Sequence, residues 1–530
     1  MKMSKICGKL NIKYIECPKK RILVKPTLSK KITPLTPSSL NKTQIPSRLS
    51  CVNRSALKLQ PQQLRIIEYM KTHRGILIYH SVGSGKTLTA ITLSQCFLDQ
   101  YPNKKVIVVC PASLVENFKK QMTYYKNIQY ENNYRFYSIQ GFVNAKKRKE
   151  IDCKDSMLII DEAHNLKTST SKIKNSKTGK IIEKGINSKH LIQCAEKSDK
   201  VVLMSATPMI NDVKDLIPLY NMIRDLNEPK MVISTKNNNH SLYSVLYTKD
   251  RLLNLMRCKV SFFNAIDKNL FPESLEHEIF LQMTPSYQDK YDTLVNEKGL
   301  STLAISHFGQ VNIKSFYNGF RRAVNNLEGS NSPKVKWVVN KILTASENSK
   351  EKIIVFSHFL DAGNLAIIKA LPKNIQEKCA YIKGNVSRKK RSEIVNKYNE
   401  NHIQFLFISK AGGEGLDLKG TRQIIILEPS WNRSMEEQVI GRGIRYLSHS
   451  HLPLNERKVD IYRLYTIKKT DIKFQQIIQN ENPNDTPPKF DPISNSVDML
   501  MRYLQYHKEK KLIFFREQLI NNSIENQICL

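Results

Sequence analysis

The sequence predicts an α/β protein with two parallel-sheet units, a helical insert between them and flexible basic ends. Three observations carry this expectation. From about residue 59, short apolar runs alternate with helical stretches: Gly75-Ile-Leu-Ile-Tyr79, Val106-Ile-Val-Val-Cys110, Met157-Leu-Ile-Ile160 and Val201-Val-Leu-Met204. Each run ends where polar or Gly-rich residues begin, which is how parallel strands buried on both faces read. The pattern then restarts at Lys352-Ile-Ile-Val-Phe356, Gln404-Phe-Leu-Phe-Ile408 and Gln423-Ile-Ile-Ile-Leu427, which calls for a second unit. Finally, 530 residues exceed one ordinary core and suit roughly three folding units.

Taken in order, residues 1–58 hold fourteen Lys and Arg against a single acid, Glu16. Pro26, Pro34, Pro37 and Pro46, with Ser38 and Ser39, oppose continuous helix there. A flexible arm or extended strap is expected, either a solvated tail or a segment touching phosphates. The first α/β unit occupies 59–225. Residues 226–335 read as more helical and carry the basic stretch Phe316-Tyr-Asn-Gly-Phe-Arg-Arg322. The second α/β unit fills 336–480. Residues 481–530 open with Pro483, Pro487, Pro488 and Pro492, then give the amphipathic Val497-Asp-Met-Leu-Met-Arg-Tyr-Leu504, a helical tail. No repeat of solenoid type is present.

Lys and Arg outnumber Asp and Glu by 84 to 47, a formal net charge of +37. A solubilising surface accounts for part of this excess, but the sign favours a polyanionic partner, nucleic acid. The ten cysteines are scattered, with no C-x-x-C pair and no Cys/His cluster of zinc-binding spacing. Reduced thiols, no structural metal and a reducing, soluble compartment are expected. No segment has the length and apolarity of a membrane span or a signal peptide.

The chemistry-bearing residues begin directly after the first apolar run. His80-Ser-Val-Gly-Ser-Gly-Lys-Thr87 precedes the helical stretch Leu88 to Leu98. Gly83 and Gly85 let the backbone bend so that N–H groups of Ser81, Val82, Ser84 and their neighbours face phosphate oxygens. Lys86 neutralises β/γ charge and Thr87 is a ligand for Mg²⁺. A full phosphate loop of this kind places glycine where His80 stands, so the match is to the shorter G-x-G-K-T core. A chance Gly-rich turn is the alternative for this motif alone. The second signal is Met157-Leu-Ile-Ile-Asp-Glu-Ala-His164, two adjacent carboxylates closing an apolar strand 75 residues beyond Lys86. Asp161 is placed to hold Mg²⁺ and Glu162 to polarise the attacking water. By itself an Asp-Glu pair is usually a solvated turn, but here it is expected on a neighbouring strand of the sheet that carries Lys86.

With these two motifs the chain resembles the superfamily 2 helicases and translocases, over roughly residues 59–470. Asp161 to His164 matches the DEAH form of that family. The resemblance implies two RecA-like, doubly wound parallel-sheet domains with ATP between them. Ser205-Ala-Thr-Pro208 looks like motif III, whose Ser205 and Thr207 would couple ATP state to nucleic acid. Pro61-Gln-Gln63 looks like the adenine contact, through Gln63. Pro111-Ala-Ser-Leu114 is similar to motif Ia, giving Pro111 and Ser113 as nucleic-acid contacts. Val355-Phe-Ser357 resembles motif IV and Ala411-Gly-Gly-Glu-Gly-Leu-Asp417 motif V. These imply nucleic-acid contacts at Ser357, Gly412 and Gly413 and a nucleotide contact at Asp417. Gln438-Val-Ile-Gly-Arg-Gly-Ile-Arg445 matches motif VI, with Gln438, Arg442 and Arg445 as catalytic residues. Phosphoryl transfer spreads negative charge over the γ-oxygens, and a guanidinium from a second domain stabilises it only on closure. Arg442 and Arg445, three apart, are expected on one side of a helix.

Finer features look Swi/Snf-like: Gly384-Asn-Val-Ser-Arg-Lys-Lys-Arg391, Leu281-Gln-Met-Thr-Pro-Ser-Tyr-Gln288 and Trp431-Asn432. The path through Arg445, Ser448-His449 and Glu456-Arg457 is similar to the ATPases of large cytoplasmic DNA viruses. Those include the nucleoside triphosphate phosphohydrolase I and early transcription factor small-subunit types of poxviruses. Ser496-Val-Asp498 and the late Ser523-Ile-Glu525 also resemble the latter. Two departures stand out: Ser81 replaces the family's usual Ala, and Arg433 stands where Swi/Snf relatives have Pro. The resemblance implies an ATP- and Mg²⁺-dependent motor on DNA or RNA that serves viral transcription in the virion or host cytoplasm. Its partners would be a viral RNA polymerase or transcription factor subunit, with no membrane and no zinc. A strand-separating RNA helicase is the alternative enzyme, and a non-hydrolysing ATP-gated clamp the alternative of another class.

Overall fold

The computed structural model describes residues 5–6, 13–20 and 50–529, except 82, 113, 124, 126–129, 167–170, 175–180, 185, 210–211, 234–243, 265–269, 298–312, 328–331, 349, 410–415, 432 and 472–493. The chain forms two compact units, residues 23–265 with 511–530 and residues 1–22 with 266–510. In chain order the strands used below are β1 Lys5–Ile6, β2 Lys13–Lys20, β3 Gly75–His80, β4 Lys105–Cys110, β5 Tyr134–Ser138, β6 Ser156–Ile160, β7 Lys200–Ser205, β8 Val260–Phe263, β9 Glu273–Gln282, β10 Ile353–Ser357, β11 Cys379–Ile382, β12 Phe405–Ser409, β13 Gln423–Ile426 and β14 Lys458–Ile467. The helices used are α1 Pro61–Thr72, α2 Lys86–Gln100, α3 Arg433–Gly443 and α4 Val497–Asn521.

The first unit is built on a six-stranded sheet in the order β8-β3-β7-β6-β4-β5, parallel throughout. Its strands read as unbroken apolar runs because both faces are covered. Leu77, Ile107, Val109, Leu158, Ile160, Val201 and Leu203 belong to one core layer. The alternating Ile76, Ile78, Val106, Val108, Met157, Ile159, Val202 and Met204 belong to the other. Each such side chain taken out of water stabilises the unit by roughly 1.5–3 kcal/mol. The expectation that the Lys86 and Asp161 strands are neighbours needs correcting: β7 lies between β3 and β6.

The second unit carries an eight-stranded sheet, β1-β2-β9-β14-β13-β10-β12-β11. From β9 to β11 it is parallel, whereas β2 runs antiparallel on β9 and β1 antiparallel on β2. Ile353, Val355, Phe405, Phe407 and Ile425 face one layer, and Ile354, Phe356, Leu406, Ile408 and Ile424 the other. Within the basic N-terminal extension, therefore, Lys13–Lys20 is a strap laid on a sheet. The Pro/Ser/Thr-rich stretch from Pro26 to Pro46 lies outside the described residues.

Residues 226–335, expected to be helical, also supply strands: β8 at the edge of the first sheet and β9 inside the second. The sequence hides β9 because Glu276, His277 and Glu278 interrupt its apolar run, and all three are buried. The two carboxylates are matched: Glu276 pairs with Arg433 and Arg463 at 3.5 Å each, and Glu278 with Arg502 at 2.9 Å. Arg463 is 2% exposed on β14 and also meets Glu436 and Glu437 of α3. Helix α4 contributes Arg502, Gln505 and Glu509 to the same polar core. Gln505 Nε2 donates to Ser430 O and Glu436 Oε1, and Glu509 pairs with Arg433 at 2.9 Å. Arg433 thus has a local reason to replace proline.

The cysteine expectation is also corrected. Cys51–Cys96, Cys153–Cys194 and Cys258–Cys529 are disulfides, all in the first unit, while Cys110 and Cys379 are free thiols. Partners 41 to 271 residues apart meet only through the fold, so no local spacing announces them. With them goes the argument from cysteine usage to a reducing compartment. Among the described residues no helix is long and apolar enough to cross a membrane.

Removing one member of the buried ion cluster leaves uncompensated charge behind. Arg463→Met is expected to destabilise the protein by about 3–5 kcal/mol in urea unfolding, because Glu436 loses its counter-ion inside the core and Glu276 one of its two. A change below about 1 kcal/mol would show that the cluster does not bind as a unit.

Candidate active site

Strand ends place the expected residues. Tyr79 is in register with Ser205, Leu203 with Ile160, and Ile160 with Val109. The loops after His80, Ser205, Ile160 and Cys110 therefore leave the same C-terminal edge of the first sheet, where ligands of open parallel sheets bind.

The loop after β3 turns on Gly83 and Gly85, both left-handed with φ of +80° and +83°. Gly85 caps α2 at its N-terminus, so the first N–H groups of α2 and its dipole point into the loop. A Cβ on Gly85 would also lie 2.7 Å from Gln63 Nε2. Gln63, expected to touch adenine, is 2% exposed, and both ends of its amide are engaged. Its Nε2 donates to Gly85 O at 3.1 Å, and its Oε1 accepts from Gln60 N at 2.8 Å. In this conformation it braces the loop. Lys86 Nζ donates to the carbonyls of His80 and Ser81, both at 2.9 Å. The Ser84 hydroxyl is buried and has no hydrogen-bond partner among the described residues. A cradle of left-handed glycines, a cation held over the loop and an orphaned hydroxyl fit a polyphosphate. Thr87 follows in the first turn of α2, half-buried. Val82 lies outside the described residues.

After β6, Asp161 N donates to Val109 O at 2.9 Å and Asp161 Oδ1 accepts from Glu162 N at 2.9 Å. Glu162 is itself left-handed, φ +50°, an unfavourable conformation for a residue with a side chain. His164 Nδ1 lies 3.3 Å from Glu162 Oε2 and 3.0 Å from Ser205 Oγ. A carboxylate only accepts, so Nδ1 carries the proton. Ser205 Oγ accepts in turn from Thr207 N at 3.0 Å. The DEAH carboxylate and motif III are thereby joined through His164. Pro111 opens the turn into helix Val115–Met122, with Leu114 N donating to its carbonyl at 2.8 Å. Ser113 lies outside the described residues.

In the second unit, Ser357 is fully buried and its hydroxyl donates to Glu428 Oε1 and Oε2 at 3.1 and 3.0 Å. In this structure the hydroxyl expected to contact nucleic acid is engaged by Glu428. Glu428, which sequence reasoning missed, also accepts from His358 N and from Asn325 Nδ2. Burial raises its pKa, and Lys334 and Arg321 oppose that shift. An acid directly after the apolar Ile424-Ile-Ile-Leu427 repeats the Asp161 pattern and was a legible signal. Helix α3 ends at Gly443, so Arg442 sits in its last turn and Arg445 on the loop beyond, not on one helical face. Gly443 ends it in tight packing, where a Cβ would meet Ile424, Ile354 and Thr421 at 3.1–3.3 Å. Arg442 is buried. Arg445 Nη1 donates to Leu416 O at 3.0 Å and lies 3.5 Å from Asp417 Oδ1, so the motif V and VI residues do meet. Gln438 is half-buried on α3. Gly412 and Gly413 lie outside the described residues.

Residues 51–210 match the family described as the type III restriction enzyme res subunit, and residues 333–447 the helicase conserved C-terminal domain. A protein of Acanthamoeba polyphaga mimivirus, provisionally named an ATP-dependent RNA helicase, is 32% identical over 429 residues, covering 77% of this chain and 89% of that protein. Nucleoside triphosphatase I of Choristoneura biennis entomopoxvirus is 24% identical, covering 84% and 80%. A termination factor NPH-I homolog of African swine fever virus is also 24% identical, covering 78% and 72%. The sheet edge that gathers the Gly83–Lys86 loop, Asp161 to His164 and the Ser205 segment, and these matches across both units, lead to one conclusion: the chain belongs to the superfamily 2 helicases, as an enzyme of the nucleic-acid-dependent ATPase class.

Proposed function

We propose that the protein is an ATP-driven motor that moves along nucleic acid during viral transcription. The path Glu162–His164–Ser205–Thr207, a 3.3 Å contact followed by two hydrogen bonds, carries this reading, because it ties the carboxylate assigned to hydrolysis to the segment that follows β7. ATP phosphates occupy the cradle of Gly83, Gly85 and the α2 N-terminus, with Lys86 leaving the His80 and Ser81 carbonyls for phosphate oxygens and Ser84 gaining a partner. Thr87 and Asp161 would hold Mg²⁺, which when bound neutralises charge on the β/γ-phosphates. Glu162 orients the attacking water and takes its proton. Arg442 and Arg445 stabilise charge developing on the γ-phosphoryl group, and Asp417 holds Arg445 ready for that role. Pro111 is assigned to nucleic-acid contact, as the resemblance also assigns Ser113, Gly412 and Gly413, and Gln438 supports the γ-phosphate side. The excess of Lys and Arg supplies the long-range attraction to the polyanion. The swine fever virus relative's name, a termination factor, supports a role in ending or releasing transcripts, alongside a viral RNA polymerase or transcription factor subunit, in the virion or host cytoplasm. The mimivirus relative's name favours RNA as the second choice of track.

Steady-state ATP hydrolysis with single-stranded DNA, duplex DNA, single-stranded RNA and duplex RNA added in turn tests the proposal. Stimulation by DNA supports the transcription motor. Stimulation by RNA alone moves the assignment to an RNA helicase. Nucleotide binding without turnover under all four conditions leaves only a clamp. Lys86→Ala and Glu162→Gln should each lower stimulated turnover about a hundredfold or more, the loss typical of removing a preorganised group from a charge-developing site. Ser205→Ala should reduce the ratio of stimulated to unstimulated turnover at least about fivefold, since it cuts the path between hydrolysis and motif III. An unchanged ratio would remove that path from the mechanism.

A further inference from the structure

The loop assigned to phosphate departs from a histidine that has no part in the proposed hydrolytic set. His80, the last residue of β3, is fully buried, and its Nε2 lies 2.8 Å from Ser261 Oγ on the edge strand β8. Ser261 Oγ donates to Glu525 Oε1 at 2.6 Å, and Phe262 N donates to Glu525 Oε2 at 2.8 Å. Since the carboxylate only accepts, the Ser261 proton is committed to it, and the Ser261 oxygen must accept from His80 Nε2–H. Nδ1 of His80 is then the bare nitrogen, and among the described residues it has no hydrogen-bond partner. Burial first, and the Lys86 ammonium second, push the His80 pKa down to about 3, so the ring is neutral.

Glu525 is not on a loose tail. Cys258 N donates to Asn522 O at 2.9 Å and Ile524 N to Val260 O at 2.8 Å, so the last residues run along β8. Arg65 of α1 donates to the carbonyls of Ile524 and Glu525 at 3.3 and 3.4 Å. Ile524 is buried in the core layer that holds Ile66 and Ile67, and Cys529 is bonded to Cys258. On the loop side, Ser81 N donates to Phe263 O at 2.9 Å, and Lys86 holds the His80 and Ser81 carbonyls. The C-terminal strap and the phosphate loop are thus two ends of one hydrogen-bonded chain.

We propose that Glu525 is a positioning residue of the nucleotide site: through Ser261 it fixes the His80 ring, and with it the backbone from which the phosphate loop departs. The C-terminal strap is then a working part of the ATPase. This rests on the assignment of residues 80–87 to phosphate binding.

The test compares Glu525→Gln, Ser261→Ala and the double variant in the full-length protein, with KM for ATP and kcat measured at saturating nucleic acid. Each single change should raise KM about tenfold, equivalent to about 1.4 kcal/mol, through a misplaced loop. At saturating ATP, kcat should stay within about twofold, because the reacting groups are intact. The two residues act in series, so the double variant should be no worse than the poorer single one. A general loss of stability would instead lower the active fraction and leave KM unmoved. Wild-type KM in folded Glu525→Gln, or additive losses in the double variant, overturns the proposal. Should Glu525→Gln not fold, Ser261→Ala alone decides it by the same split. Lys86→Ala separates the two levels of inference. If it turns over ATP like the wild type, the phosphate-loop assignment itself fails; if it is inactive while Glu525→Gln retains wild-type KM, only the role of Glu525 fails.

Discussion

A strand buried on both faces can offer chemistry only at its ends, and the rest of the molecule follows from that constraint. In a parallel sheet every C-terminal end lies on one edge, so polar groups just beyond the apolar runs are collected whatever their separation in the chain. His80, Cys110, Ile160 and Ser205 close four such strands of one sheet. The turns that follow must leave the sheet abruptly. Gly83 and Gly85 do so at little steric cost, whereas Glu162 adopts the same left-handed region with a side chain in place. Strain at that carboxylate persists because Asp161 and His164 hold it on either side.

Much of this was legible in the sequence, for a physical reason. Runs such as Val106 to Cys110 and Gln404 to Ile408 announce doubly covered strands by composition alone, and a Gly-x-Gly-Lys-Thr turn or an Asp-Glu pair at such a run's end announces chemistry. Strand order was not legible. The insertion of β7 between β3 and β6 follows from how crossovers pass over the sheet, which leaves no trace in hydrophobic pattern. Strand β9 was hidden by Glu276 and Glu278, whose partners Arg433, Arg463 and Arg502 lie far along the chain. The same distance concealed the disulfides and the burial of Ser357 against Glu428. The glycine missing at His80 and the late Ser523-Ile-Glu525 were both visible, but their connection through Ser261 was not.

The charge inside the second unit bears on how α3 is held. Apolar side chains can slide past one another at small cost, while a buried ion pair that loses its geometry leaves charges unsolvated. Helix α3 is bound through Glu436 and Glu437 to Arg463 on β14, and through Arg433 to Glu276 on β9 and Glu509 on α4. These contacts add little net stability over well-packed apolar groups, since each charge had to be desolvated. What they do is penalise every other position of the helix whose last turn carries Arg442.

The path from Glu162 to Thr207 depends on one proton. His164 Nδ1–H faces a carboxylate and a hydroxyl, and the hydroxyl of Ser205 also receives the Thr207 amide. On the proposed mechanism, turning Glu162 toward water at a γ-phosphate would weaken its hold on the imidazole and leave His164 to commit its proton to Ser205 alone. A stronger bond at Ser205 Oγ then shifts what that oxygen offers to Thr207 N. Because the path runs through a buried imidazole and a serine without exposure to solvent, water cannot substitute for either partner and dissipate the change. On the proposed role of Glu162, a rearrangement there would therefore reach the segment after β7 through His164 and Ser205.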